Sequence, residues 1–178
     1  MAPDRLRVDA VRRGADVKAF PLPLDLRNLA DGRQDHWVTL APFAYFDRSD
    51  AMLYVVPSGF RNDLASVPRV FWPAIDPANK VAPGALVHDW LYASRGLVRP
   101  WLPKISRAKA DAIFRRALVA NDVSAGRALV MWSAVRVGGA KAWREGVDAS
   151  YLFHSHVLPA VVQMIEEAKA EPGPEVMG

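Results

Sequence analysis

The run His88-Asp89-Trp90-Leu91-Tyr92, together with Asp111 placed 22 residues after Asp89, constrains the fold more than any other feature of the chain. On a helix His88 and Tyr92 stand four apart and share a face, while Asp89 lies about 100° round from His88. Asp89 and Tyr92, three apart, are also neighbours. One helical surface can therefore present an imidazole, a carboxylate and a phenol. The connection 93–105 is short enough to turn a second helix back antiparallel, and Asp111 lies early on that helix, where it can reach His88. Such a set suits general-base chemistry: a neutral imidazole takes a proton, one carboxylate holds a cation, and the other fixes the imidazole's tautomer. The same residues also suit a structural role, in which polar groups lock two helices together. Exposure separates the two. Catalysis predicts His88 and Asp89 at the floor of an open cleft with Asp111 in hydrogen-bonding reach, whereas a lock predicts all three sealed beneath the loop 68–83.

The 178 residues suit one domain with a core of ordinary size, and a composition 51% hydrophobic and 24% charged favours folding over disorder. With no cysteine there is neither a disulfide frame nor a thiolate metal site. Residues 1–13 carry Arg5, Arg7, Arg12 and Arg13 with Asp4 and Asp9 and no apolar stretch, so they do not read as a secretory signal. The most apolar segment, 128–143, is interrupted by Arg136 and Lys141, which argues against a membrane span. The net charge of +4 comes from scattered basic residues, a pattern that argues against nucleic-acid binding.

The chain reads as an arm over residues 1–30, one globular domain over 31–170 and a flexible tail over 171–178. The predicted fold class is α+β: a small antiparallel β-hairpin or sheet, then three to four helices containing an antiparallel pair. Residues 36–46 read as a strand, Asp47-Arg48-Ser49-Asp50 as a turn and 51–56 as the return strand. Gly59 is expected at positive φ. Residues 60–83, punctuated by Pro68, Pro73, Pro77 and Pro83, read as a long loop of the kind that often carries function. Helices are expected over 84–93, over 107–121 with Ser106 as its N-cap, from Ser124 to Gly138-Gly139, and from about Pro159 to 170.

Three further clusters carry weaker signals. Asp63 and Ser66, three apart, are accounted for by an Asx-turn or cap, the alternative being that Asp63, Asn62 or loop carbonyls supply oxygen ligands to a hard cation beside Asp89. No Gly-x-Ser-x-Gly elbow surrounds Ser66, which argues against a serine nucleophile. His154-Ser155-His156 reads as surface or capping. Trp132, Val135 and Trp143 read as core.

Two resemblances follow from these motifs. The segment from Val56 to Arg69 (Val-Pro-Ser-Gly-Phe-Arg-Asn-Asp-Leu-Ala-Ser-Val-Pro-Arg), His88-Asp89-Trp90-Leu91-Tyr92 and Ala110-Asp111-Ala112-Ile113-Phe114 together resemble the bacterial and phage family called domain of unknown function 1353, over roughly residues 36–143. That likeness implies a phage or prophage setting. His-Asp-x-x-Tyr followed by Ala110-Asp111 is also similar to the helix pair of the phospholipase A2 superfamily, in particular its disulfide-free viral capsid type. By that likeness His88 would be the base that activates water, Asp89 a calcium ligand, and Tyr92 and Asp111 orienting residues, with calcium stabilising the oxyanion of an attacked ester. The glycine-rich calcium loop of those enzymes has no counterpart just before His88, where Val70-Phe71-Trp72-Pro73-Ala74 stands instead; residues 59–63 lie further upstream.

The expectation is a phage-related hydrolase with His88 as general base, Tyr92 and Asp111 supporting it, and a calcium site at Asp89 and Asp63. Its partners would be phospholipid or a cell-envelope polymer, and it would be made in the host cytoplasm, with virion association a further option. The alternatives are a non-enzymatic virion or tail-associated structural protein, which would bind other virion proteins, and a peptidoglycan hydrolase. Against the last, the chain shows no well-spaced zinc-ligand set.

Overall fold

The computed structural model describes residues 18–29, 37–62, 80–98 and 102–146. Within them lie five strands, β1 (Leu26–Asn28), β2 (Trp37–Thr39), β3 (Phe43–Asp47), β4 (Met52–Val56) and β5 (Arg61–Asn62). Four helices follow: α1 (Ala82–Ala93), α2 (Arg107–Ala120), α3 (Ala125–Gly138) and α4 (Ala140–Glu145). The order is that of an α+β chain, with small antiparallel sheets ahead of the helices.

The strand expected over 36–46 is two strands serving two sheets. β2 lies between β1 and β5, with Leu26 opposite Thr39 and Trp37 opposite Asn62. β3 pairs with β4 alone, in a hairpin that sets Phe43 opposite Val56 and Asp47 opposite Met52. The break falls at residues 40–42, where Pro42 has no amide hydrogen to give a ladder. Thr39 holds the junction. Its hydroxyl donates to the carbonyl of Pro57 (2.8 Å) and accepts from the amide of Phe60 (2.9 Å), while its carbonyl accepts from Gly59. Gly59 has the expected positive φ, +81°. Residues 18–29, read from sequence as irregular, supply β1 and place Phe20 against Phe43 and Tyr45, with ring centroids 5.7 and 5.1 Å apart. All five residues of β3 are buried, so no polar alternation marks that strand.

Helix α1 is buried on nearly every side, from Gly84 through Tyr92, as its run of apolar residues requires. It begins two residues earlier than the sequence suggested, with Pro83 in its first turn, where a missing amide costs nothing. Its start is tied down by the Asn121 amide donating to the Lys80 carbonyl (2.7 Å). Ser106 caps α2 by accepting from the Lys109 amide, and Ser124 caps α3 through the Arg127 amide, both as expected. Gly84 faces Ala117 and Leu118, while His88 and Tyr92 face Asp111, so α1 and α2 are antiparallel. One core cluster lies between the hairpin and α1, around Phe43, Tyr54, Phe60, Leu86 and Trp90. A second joins the helices, around Ala85, Phe114, Leu118, Met131 and Val135. The short helix α4 was not foreseen, and the expected helix from Pro159 lies outside the described residues.

Candidate functional site

Where the two core clusters meet, α1, α2 and α3 converge on the carboxylate of Asp111. Oδ1 receives the Tyr92 hydroxyl at 2.6 Å and stands 3.1 Å from His88 Nε2. Oδ2 accepts from the Arg136 guanidinium at 2.8 Å and lies 3.8 Å from that of Arg107. Arg107 also donates to the carbonyls of Val135 and Arg136, closing the last turn of α3 onto the first turn of α2. The His88 ring is flanked by Tyr92 and Phe114, with centroids 4.1 and 4.6 Å away. Trp143, from α4, meets Tyr92 edge-on at 5.2 Å. Gly139 passes so close to the Tyr92 hydroxyl that a side chain there would collide with it.

Protonation states follow from these contacts. Burial pushes the Asp111 carboxyl up, but hydrogen bonds from His88, Tyr92 and Arg136 outweigh it and hold the group below its ordinary 3.8, so it is ionised at neutral pH. Burial pushes His88 below its ordinary 6.5, against the opposing hydrogen bond and charge of Asp111, so the imidazole is neutral. Burial also raises the Tyr92 phenol, with the hydrogen bond to Asp111 adding to it. An ionised carboxylate only accepts, so Nε2 must carry the imidazole's proton and Nδ1 must present its lone pair. Among the described residues that Nδ1 has no hydrogen-bond partner. The result is a neutral imidazole with its tautomer fixed by a carboxylate and its basic nitrogen unspent.

The sequence placed His88, Tyr92 and Asp111 on two helices within reach of one another, and the structure brings them into direct contact. It does not place them in an open cleft. His88, Asp89 and Asp111 are 1%, 6% and 0% exposed, so the exposure expected of a catalytic site is not met. Asp63 and Ser66, and residues 68–79 of the loop expected to seal the site, lie outside the described residues, as do His154 and His156, while the end of that loop, 82–83, is the start of α1. Among the described residues no group of three or more His, Asp or Glu side chains could hold a metal ion, so the proposed calcium pair of Asp89 and Asp63 has no cluster around it there. Sequence reasoning missed Arg107 and Arg136. Arg107 stands four before Asp111 and was legible as a helical ion pair, whereas Arg136 reaches the site only through helix packing.

The family model described as protein of unknown function (DUF1353) matches residues 37–135, more than half of the chain, and the chain belongs to that family. The match runs from β2 into α3, ending at residue 135, and includes His88, Asp89, Tyr92, Arg107 and Asp111 but not Arg136. No curated protein and no solved structure matches the chain. No helix among the described residues is long and apolar enough to cross a membrane.

Proposed function

We propose that the protein is a hydrolase in which His88 acts as general base on water, directed at the carboxylic esters of envelope phospholipids. The observation carrying this reading is that Nδ1 of an imidazole whose Nε2 is held by the ionised Asp111 has no hydrogen-bond partner among the described residues. In the attacking step Nδ1 would take a proton from water as the oxygen adds to the ester carbonyl. The imidazolium so formed would be stabilised by Asp111, and the proton would then pass to the leaving alkoxide. Tyr92 and Arg136 would keep Asp111 ionised and oriented without touching substrate. Calcium at Asp89 and a phage setting belong to the same reading, through the phospholipase-like motif and the family likeness. No step is assigned to the metal. Because Nδ1 has almost no exposed surface, turnover requires a movement that admits water and substrate to it.

One observation favours a second reading, in which the cluster is a lock in a virion or tail-associated protein. All three residues are sealed, and four side chains from three helices meet one carboxylate, as in a buried polar network that holds helices together. Incubation with mixed phospholipid vesicles, with calcium or with chelator, separates the two by released fatty acid. A catalytic role gives release by the parent that is lost in a folded His88→Ala variant. Calcium dependence of that release would point to Asp89. No release by the parent under either condition removes the lipid chemistry and leaves the lock.

A further inference from the structure

The opposite side of α2 from His88 opens onto a groove of about 760 Å3 between the hairpin and α3. The two sides are distinct in register. Asp111, Phe114 and Leu118 face the helical core, while Ala112, Arg115, Arg116, Val119 and Ala120 recur at helical spacing along the groove. Its volume falls within the roughly 300–1,000 Å3 range of small-molecule sites. Trp132, read from sequence as core, is instead half-buried and forms one wall of the groove, and Val119 stands 46% exposed beside it.

The charges in this groove are not equivalent. Arg116 is committed to Asp47 and Asp50, at 2.6 and 2.9 Å, and Asp47 is further held by the Ser49 amide. The Arg115 guanidinium lies 5.9 Å over the Trp132 ring and forms no ion pair among the described residues. The rest of the described lining is apolar at Ala19, Phe46, Ala112, Val119 and Ala120, with Tyr45, Ser49 and a further guanidinium, Arg48, which has a partner of its own, on the hairpin side. With Asp47 engaged, no side-chain amide or unpaired carboxylate is left among the described lining residues to read the edge of a nucleotide base. An apolar wall with a guanidinium at its rim matches a molecule with a hydrocarbon body and one anionic head.

We propose that this groove binds a single anionic amphiphile, its hydrocarbon against Val119 and Trp132 and its phosphate or carboxylate on Arg115. The inference does not depend on His88 chemistry, and its readout is binding alone. Calorimetric titration of the full chain with dodecyl phosphate below its micelle concentration should show one molecule bound per chain. Inorganic phosphate and dodecyl maltoside, each lacking half of the recognised pattern, should bind at least about tenfold more weakly. Arg115→Glu and Val119→Asp, both at exposed positions, should each lower dodecyl phosphate affinity by a similar factor with unchanged melting temperature. Sedimentation with phosphatidylglycerol vesicles, lost in the same variants, would identify a bilayer lipid as the source. Binding of the free amphiphile without it would identify a soluble one. Absence of dodecyl phosphate binding, equal affinity for the maltoside, or affinity unaffected by both variants would overturn the proposal.

Discussion

At the scale of single residues, Asp111 carries more of the structure than its position suggests. It is fully buried, and its charge is tolerated because two neutral donors meet one oxygen and a guanidinium bonds the other. Replacement by Ala strands His88 Nε2, the Tyr92 hydroxyl and the Arg136 guanidinium together. The expected cost is about 3–5 kcal/mol in urea unfolding, the range for breaking a buried charged network. A loss below about 1 kcal/mol would mean that the network contributes little. Gly139→Ala acts on the same node from outside, because the added methyl meets the Tyr92 hydroxyl. We expect loss of the Tyr92–Asp111 hydrogen bond, visible as loss of a slowly exchanging Tyr92 hydroxyl proton in NMR spectra, while Gly126→Ala, with open space around it, leaves that proton protected. The contact of His88, Tyr92 and Asp111 was legible in the sequence, since helical spacing fixes His88 against Tyr92 and a short connection returns Asp111. Arg136 was not, because the register of α3 on α2 depends on tertiary packing, which no local pattern encodes.

At the scale of elements, capped helices were the easiest parts to read and the sheets the hardest. Ser106 and Ser124 announce α2 and α3 by chemistry confined to four residues. The strands are two to five residues long, β3 is buried on both faces, and β1 and β5 are defined by their pairing to β2. A mostly apolar stretch over 37–46, broken only by Thr39, therefore concealed the switch between two sheets. The turn Asp47 to Asp50 was recognised, but not its second task. Arg116 bonds both carboxylates and Lys109 bonds Asp50, fastening the hairpin to α2. Since Asp47 is almost fully buried, Arg116→Leu should cost about 1.5–3 kcal/mol. Hydrogen exchange should then show faster opening in β3 and β4 than in α1, and uniform acceleration would count against a separate fastening of the hairpin.

At the scale of the whole molecule, the same cluster makes stability depend on pH in one direction. The unfolded chain takes up a proton on His88 near 6.5, while the folded chain resists doing so until lower pH. The unfolded state then binds more protons, and stability falls as pH drops below 6.5. Asp111, depressed in the folded state, contributes stability that is present above 3.8 and is lost as pH falls from there towards its folded value. The first window opens at 6.5 and the second at 3.8, so destabilisation by acid begins with the imidazole and the carboxylate adds to it. His88→Gln removes the first titration only. Its unfolding free energy should therefore lack the slope just below 6.5 that the parent shows, a difference of at most about 1.4 kcal/mol per pH unit for one proton. Below about 3.8 both proteins should lose the stability that Asp111 contributes. If the chain is a hydrolase, the acid limb of its turnover should likewise lie below 6.5, because the buried base stays neutral there while the fold holds. Parallel stability curves throughout would mean that His88 takes up its proton equally in both states, and a base poised by burial would no longer describe this site.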